Sequence, residues 1–133
     1  MRLTLDDMSR EEADAYIGLV KAQDLAHRTA TEAGWYTDPV TLLPIKRNFG
    51  EVVALMHSEL SEALEADRKG LMDDKLPHRD GREVEFADCI IRIFDTAAAL
   101  GLDVAGAIIE KNRYNRQRAD HKLEQRAAGG KKY

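Results

Sequence analysis

Apolar residues recur at helical spacing along most of the chain, and the polar residues between them carry the signals that start and stop helices. Ser9 and Glu12 have the spacing of a capping box, in which each side chain satisfies the other's free backbone N–H. A first helix is therefore expected from Ser9 to about Ala33, where Gly34 supplies a stop. Trp35 to Arg47 contains Asp38-Pro39 and Pro44 and reads as an irregular connection. Asn48 and Glu51 repeat the cap spacing and open a second helix that runs to Lys69, with Gly70 as its C-terminal glycine. LMDDKLPHRD is a second loop. Asp80 with Glu83 starts a third helix ending at Leu100-Gly101, and Asp103 opens a fourth that fades near Asp120. The tail QRAAGGKKY has no apolar period, so its order is expected to be loose or to depend on a ligand. With no convincing alternating stretch and no internal repeat, the pattern predicts an all-α fold of four main helices in one bundle.

The polar residues that fall inside the apolar stripes are the informative ones. On the second helix Val52, Val53, Met56, Leu60, Ala63 and Leu64 share a face, and Glu59 falls within that apolar arc with Glu62 three residues on. A carboxylate taken out of water needs a positive partner or a proton, so a cation is expected beside Glu59. The third helix has the apolar set Val84, Phe86, Ala87, Ile90, Ile91, Ile93, Phe94 and Ala97, with Glu85 and Asp88 along its margin. If these two helices pack antiparallel, the pairs Glu59/Glu62 and Glu85/Asp88 converge into an oxygen-only cluster suited to Mg²⁺ or Mn²⁺. The competing reading is a pair of solvated polar edges, with Asp88 and Arg92 as an ordinary i, i+4 salt bridge.

On the fourth helix the apolar line of Val104, Ala107 and Ile108 continues into Lys111, Asn115 and Arg118, while Arg113 and Arg116 lie on the far side. Two cations and an amide in a core stripe suit phosphate oxygens and a sugar or polar ring. The plainer alternative is a helix that protrudes beyond the core. The first helix repeats the pattern, as Ala13, Ile17 and Val20 give way to Asp24, His27 and Thr31.

Composition narrows the class. The chain of 133 residues is the size of one domain, and its 33% charged and 44% hydrophobic residues fit a soluble globule better than a disordered chain or a membrane span. A net charge of -4 argues against a nucleic acid polymer as partner. One cysteine and an acidic, signal-free N-terminus point to a reducing cytoplasm. Cys89 falls in the apolar stripe of the third helix and is expected to be a core residue rather than a nucleophile. Aromatic residues make up only 6%, from which we expect a second copy of the chain to complete the core. No GxxxxGK[ST] occurs, which excludes a P-loop, and no ExxH pair lies on these helices, which argues against a di-iron carboxylate bundle.

Three motifs in order, Glu59-Leu-Ser-Glu62, Glu85-Phe-Ala-Asp88 and Lys111-Asn-Arg-Tyr-Asn115-Arg-Gln-Arg118, together resemble the MazG-like all-α nucleoside triphosphate pyrophosphatases. The resemblance covers residues 48 to 120 well and residues 9 to 47 loosely. It implies hydrolysis of a nucleoside triphosphate between the α and β phosphates, giving the monophosphate and pyrophosphate. Glu59, Glu62, Glu85 and Asp88 would hold Mg²⁺, with Mn²⁺ as a substitute. An activated water would be the nucleophile, and a glutamate, Glu59 or Glu62, its base. Glu65 continues the i, i+3 series as an outer ligand or a surface residue. Lys111 and Arg118 would bind phosphates and Asn115 the sugar or base, while Trp35 and Tyr36 could stack on a base whose edge His27 or Asp24 reads. Some phage relatives act on guanine nucleotides and others clear non-canonical ones, so a purine deoxynucleotide is the expected substrate, in the host cytoplasm if the chain is phage-encoded. Members of the family assemble as dimers or pairs of dimers, so a homodimer or homotetramer is expected and no membrane partner. The alternative from another class is a non-catalytic helical module that binds a nucleotide or a protein.

Overall fold

The computed structural model describes residues 3–130. They are all-helical, with four main helices: α1 (Arg10–Glu32), α2 (Phe49–Lys69), α3 (Gly81–Leu100) and α4 (Val104–Gln117). A turn of 3-10 helix over Leu5–Asp7 precedes α1; another over Ala119–His121 follows α4 and leads into the short α5 (Leu123–Ala127). No described helix is long and apolar enough to cross a membrane. The helix signals in the sequence are made as bonds. Ser9 Oγ accepts from Glu12 N at 3.2 Å while Glu12 accepts from Ser9 N at 3.0 Å, and Asn48 Oδ1 caps α2 through Glu51 N at 3.1 Å. Asp80 caps α3 through Arg82 N and Asp103 caps α4 through Gly106 N. Gly70 and Gly101 end α2 and α3 in the left-handed conformation that glycine adopts without strain.

Contacts within the chain fall into two compact units, residues 21–102 and residues 1–20 with 103–133. In the first, α2 and α3 run antiparallel, as the pairs Met56/Cys89 and Asp67/Arg82 show by advancing in opposite directions. At the loop end of the seam Gly81 sits against Ala66 Cβ and the Leu71 carbonyl and donates to that carbonyl at 3.0 Å. Val52, Ala63, Ala66, Cys89, Phe94 and Ala97 are buried, confirming Cys89 as a core residue. Leu60, Leu64, Phe86, Ala87, Ile90 and Ile91, expected on core faces, are exposed, because the helices of one chain cover only part of the wide apolar arcs on α2 and α3. The connection Trp35 to Arg47 is more regular than its prolines suggested. Asp38 Oδ1 accepts from Val40 N and Thr41 N, Thr37 and Pro44 pair as an isolated bridge, and Leu42 takes a left-handed φ of 59° at the tip.

In the second unit the buried residues of α4 are Ala105, Gly106 and Ile109, one position on from the predicted line. The reason is Arg113, expected on the outer face: it is half-buried and forms a two-pronged pair with Glu12, Nε to Oε1 at 2.9 Å and a terminal nitrogen to Oε2 at 2.7 Å. That pair turns α4 so that Lys111 is exposed, Val104 and Ile108 are half-buried, and Ala107 is uncovered. Glu12 is held well below the usual carboxylate range, at about 2, by Arg113 first and by the capping bond from Ser9 second. The loose tail expected from Gln125 onward is in part the helix α5, and its last three residues, 131–133, lie outside the described residues.

Two glycines on helices separate space from propensity. A Cβ at Gly81 would meet Ala66 Cβ and the Leu71 carbonyl at 2.9 Å, whereas one at Gly18 would meet nothing within 4 Å. Urea denaturation of Gly81→Ala should show a loss of roughly 1–3 kcal/mol from overpacking, and Gly18→Ala a gain of about 0.5–1 kcal/mol. Equal effects at the two positions would contradict the close approach at the α2–α3 seam.

Candidate metal centre

Antiparallel packing brings Glu59 of α2 to the same level as Glu85 and Asp88 of α3, and one carboxylate oxygen from each lies within 4.8 Å of the others. Glu59 is 6% exposed, as its place in the apolar arc requires; Glu85 is half-buried and Asp88 is exposed. The cation expected beside Glu59 is Arg92, whose Nε donates to Glu59 Oε1 at 2.6 Å. Arg92 thus reaches across the seam instead of forming the i, i+4 pair with Asp88. This bond ties Glu59 of α2 to α3.

The remaining charges of the cluster are unbalanced. Glu85 is pushed up to about 7, by burial first, then by a hydrogen bond with Glu59 and by the charges of Glu62, Glu59 and Asp88. Asp88 is also raised, by partial burial first and by Glu59 second, with Arg92 opposing. Glu85, whose proton is held by burial and by the acids around it, would give that proton up to a hard divalent cation, and an all-oxygen donor set fits Mg²⁺ or Mn²⁺. Glu62 is exposed and lies outside the close set. It borders an acidic hollow of about 240 Å³ with Glu65, Asp73, Asp74 and Glu85.

A second cavity in the same unit, of about 430 Å³, is lined by Trp35, Arg47, Leu55, Ile91 and Asp95 and extends to Asp88 and Arg92. Trp35 is 61% exposed with the Arg47 guanidinium 5.7 Å from its ring centre. His27 is half-buried, its Nδ1 2.8 Å from Asp95 Oδ1, and Asp24 is exposed. Neither lines this cavity. Asp95 was not anticipated from the sequence, although its place two turns after Asp88 on α3 was a usable signal.

In the other unit Arg118 pairs with Asp120, and both Lys111 and Arg118 lie near the Tyr114 ring, at 4.6 and 5.8 Å from its centre. Asn115 is half-buried, and its Oδ1 is shielded from solvent with no hydrogen-bond partner among the described residues. An orphaned acceptor of this kind costs on the order of 1–3 kcal/mol, which a ligand donor would recover.

The raised Glu85 sets the sign of a pH effect. The folded state keeps this proton up to about 7 while the unfolded chain loses it near the ordinary 4.5, so stability falls as pH rises between those values. Glu85→Gln should therefore melt higher than the parent at about pH 8 without metal, and the difference should vanish below about pH 4.5. Mg²⁺ should raise the parent's melting temperature more than that of the variant. A constant difference across pH, or an equal response to Mg²⁺, would contradict the crowded cluster. Comparison with protein-family models, curated proteins and solved structures finds no match to this chain.

Proposed function

We propose that the protein is a Mg²⁺-dependent nucleoside triphosphate pyrophosphohydrolase, converting a nucleotide to its monophosphate and pyrophosphate. The observation that carries this reading is the convergence of Glu59, Glu85 and Asp88 from two antiparallel helices, with Glu59 buried. The ordered motifs on α2, α3 and α4, which resemble the MazG-like enzymes, supply the substrate class. A divalent cation held by these oxygens would offset phosphate charge and lower the pKa of water.

The residues divide the remaining work. Arg92 holds Glu59 in place. Glu62, exposed beside Glu85, is the base left to accept the proton of the attacking water. Water adds to the α phosphorus, the bond to the bridging oxygen breaks, and pyrophosphate leaves with that electron pair. By the resemblance of the fourth-helix motif, Lys111 and Arg118 would bind phosphate oxygens and Asn115, whose Oδ1 lacks a hydrogen-bond partner among the described residues, the sugar or base. Trp35 is assigned to the base end, with a purine deoxynucleotide as the preferred substrate, whereas His27 and Asp24 do not line the cavity beside it. The exposed pairs Leu60/Leu64 on α2 and Phe86/Ile90 on α3 form apolar faces that we assign to a second copy of the chain.

One observation favours the alternative of a non-catalytic helical module: the Arg92 guanidinium already neutralises Glu59. A single experiment decides. Incubated with Mg²⁺ and a panel of nucleoside triphosphates, the protein should release monophosphate and pyrophosphate, and Glu59→Ala or Asp88→Ala should cost at least about 100-fold in kcat while the fold is retained. Lys111→Ala should weaken triphosphate binding about tenfold, which corresponds to about 1.4 kcal/mol. Absence of turnover with every nucleotide, or full turnover in the folded carboxylate variants, would refute the hydrolase; sedimentation as a monomer would refute the second copy.

A further inference from the structure

Apart from the triad, the most heavily constrained group in the 21–102 unit is another carboxylate. Asp95 is 4% exposed, and all its partners come from other segments of the chain. Oδ1 accepts from Tyr36 Oη at 2.8 Å and lies 2.8 Å from His27 Nδ1, and Oδ2 lies 3.8 Å from the Arg47 guanidinium. Tyr36, stacked edge-on to His27 at 5.1 Å, is pushed up to about 12 by burial and by its bond to Asp95, so it stays a donor.

Helix packing alone does not call for this arrangement, since an aliphatic residue at position 95 would avoid the cost of burying a charge. Its effect is to pin one wall of a cavity. Tyr36 and Arg47, at the two ends of the α1–α2 connection, are both tied to α3 through Asp95, and Arg47 is caught between that carboxylate and the Trp35 ring. The result is an exposed indole face beside a fixed guanidinium. The cavity they border has a volume of about 430 Å³, within the range of small-molecule sites, and extends to Asp88 of the triad. An aromatic face with a neighbouring guanidinium is the surface on which a flat heterocycle stacks.

We propose that Asp95 is a positioning residue, holding Arg47 and Trp35 as the wall of a subsite for the heterocyclic ring of the nucleotide whose phosphates lie toward Asp88. This inference rests on the nucleotide reading above and adds to it the residue that fixes the ring's wall. Arg47 is the direct contact; Asp95 acts through it.

Trp35 is the chain's single tryptophan, so its emission reports on this wall without reference to catalysis. The probes are dAMP, dGMP, dCMP and dTMP with chelator present, and at least one should quench Trp35. Asp95→Asn keeps the side-chain volume and an acceptor for Tyr36 but removes the charge that holds Arg47, and Arg47→Gln removes the guanidinium at a half-buried position while keeping a polar side chain there. Each should raise the half-quenching concentration about tenfold and KM for the triphosphate by a similar factor, with kcat and Mn²⁺ binding within about twofold of the parent. Quenching that weakens in both variants of a protein with no hydrolytic activity would support the subsite while refuting the hydrolase. Three results would overturn the proposal: no quenching by any of the four in a protein that hydrolyses nucleotides, parental quenching and KM in Arg47→Gln, or an Asp95→Asn protein that melts lower with KM unchanged. Should Asp95→Asn fail to fold, Arg47→Gln decides alone.

Discussion

A carboxylate shielded from water must have positive charge or a proton beside it, and Glu59 imposes that condition on the α2–α3 seam. Arg92 meets half of the requirement through one oxygen. Glu85 and Asp88 stand beside Glu59, and burial first, then the neighbouring acids, keep a proton on Glu85 to about 7. Antiparallel packing, fixed at its loop end by the Gly81–Ala66 approach, is what brings these groups to one level. The candidate metal centre is therefore a consequence of how two helices meet.

The same helix carries both ends of the larger cavity. Asp88, Arg92 and Asp95 lie along one side of α3, at spacings of four and three residues, and each is engaged by or toward another segment. Asp88 joins the triad, Arg92 steadies Glu59, and Asp95 gathers His27, Tyr36 and Arg47. α3 thus does for polar groups what its opposite side, with Cys89, Phe94 and Ala97, does for apolar ones. The uncovered Leu60, Leu64, Phe86 and Ile90 are the remainder of two apolar arcs that one chain does not fill.

Local chemistry was legible in the sequence where it is short-ranged. The caps at Ser9, Asn48, Asp80 and Asp103 depend on residues two to three positions away, and each is made. Glu59 and Cys89 were legible because burial on a helix follows a simple period. The misreadings involve partners distant in sequence. Arg113 was placed on the outer face of α4 because its partner Glu12 is 101 residues away, and that one pair shifts the buried line of the helix by a residue. Arg92 was weighed as a partner of Asp88 because i, i+4 pairing is the only contact visible from sequence, while the bond it makes spans 33 residues. Asp95 went unread for the same reason, since its partners lie 59 and 68 positions away.

If burial and the neighbouring acids keep a proton on Glu85, a divalent cation bound there must displace it. Calorimetric titration of the nucleotide-free protein with Mn²⁺, in buffers of differing ionisation enthalpy, counts the protons released. At about pH 6, release should approach one proton per site, and at about pH 9 it should fall to nearly none, because Glu85 is then already ionised. Binding without proton release at the lower pH, or no binding at either, would contradict a metal centre built on these three carboxylates.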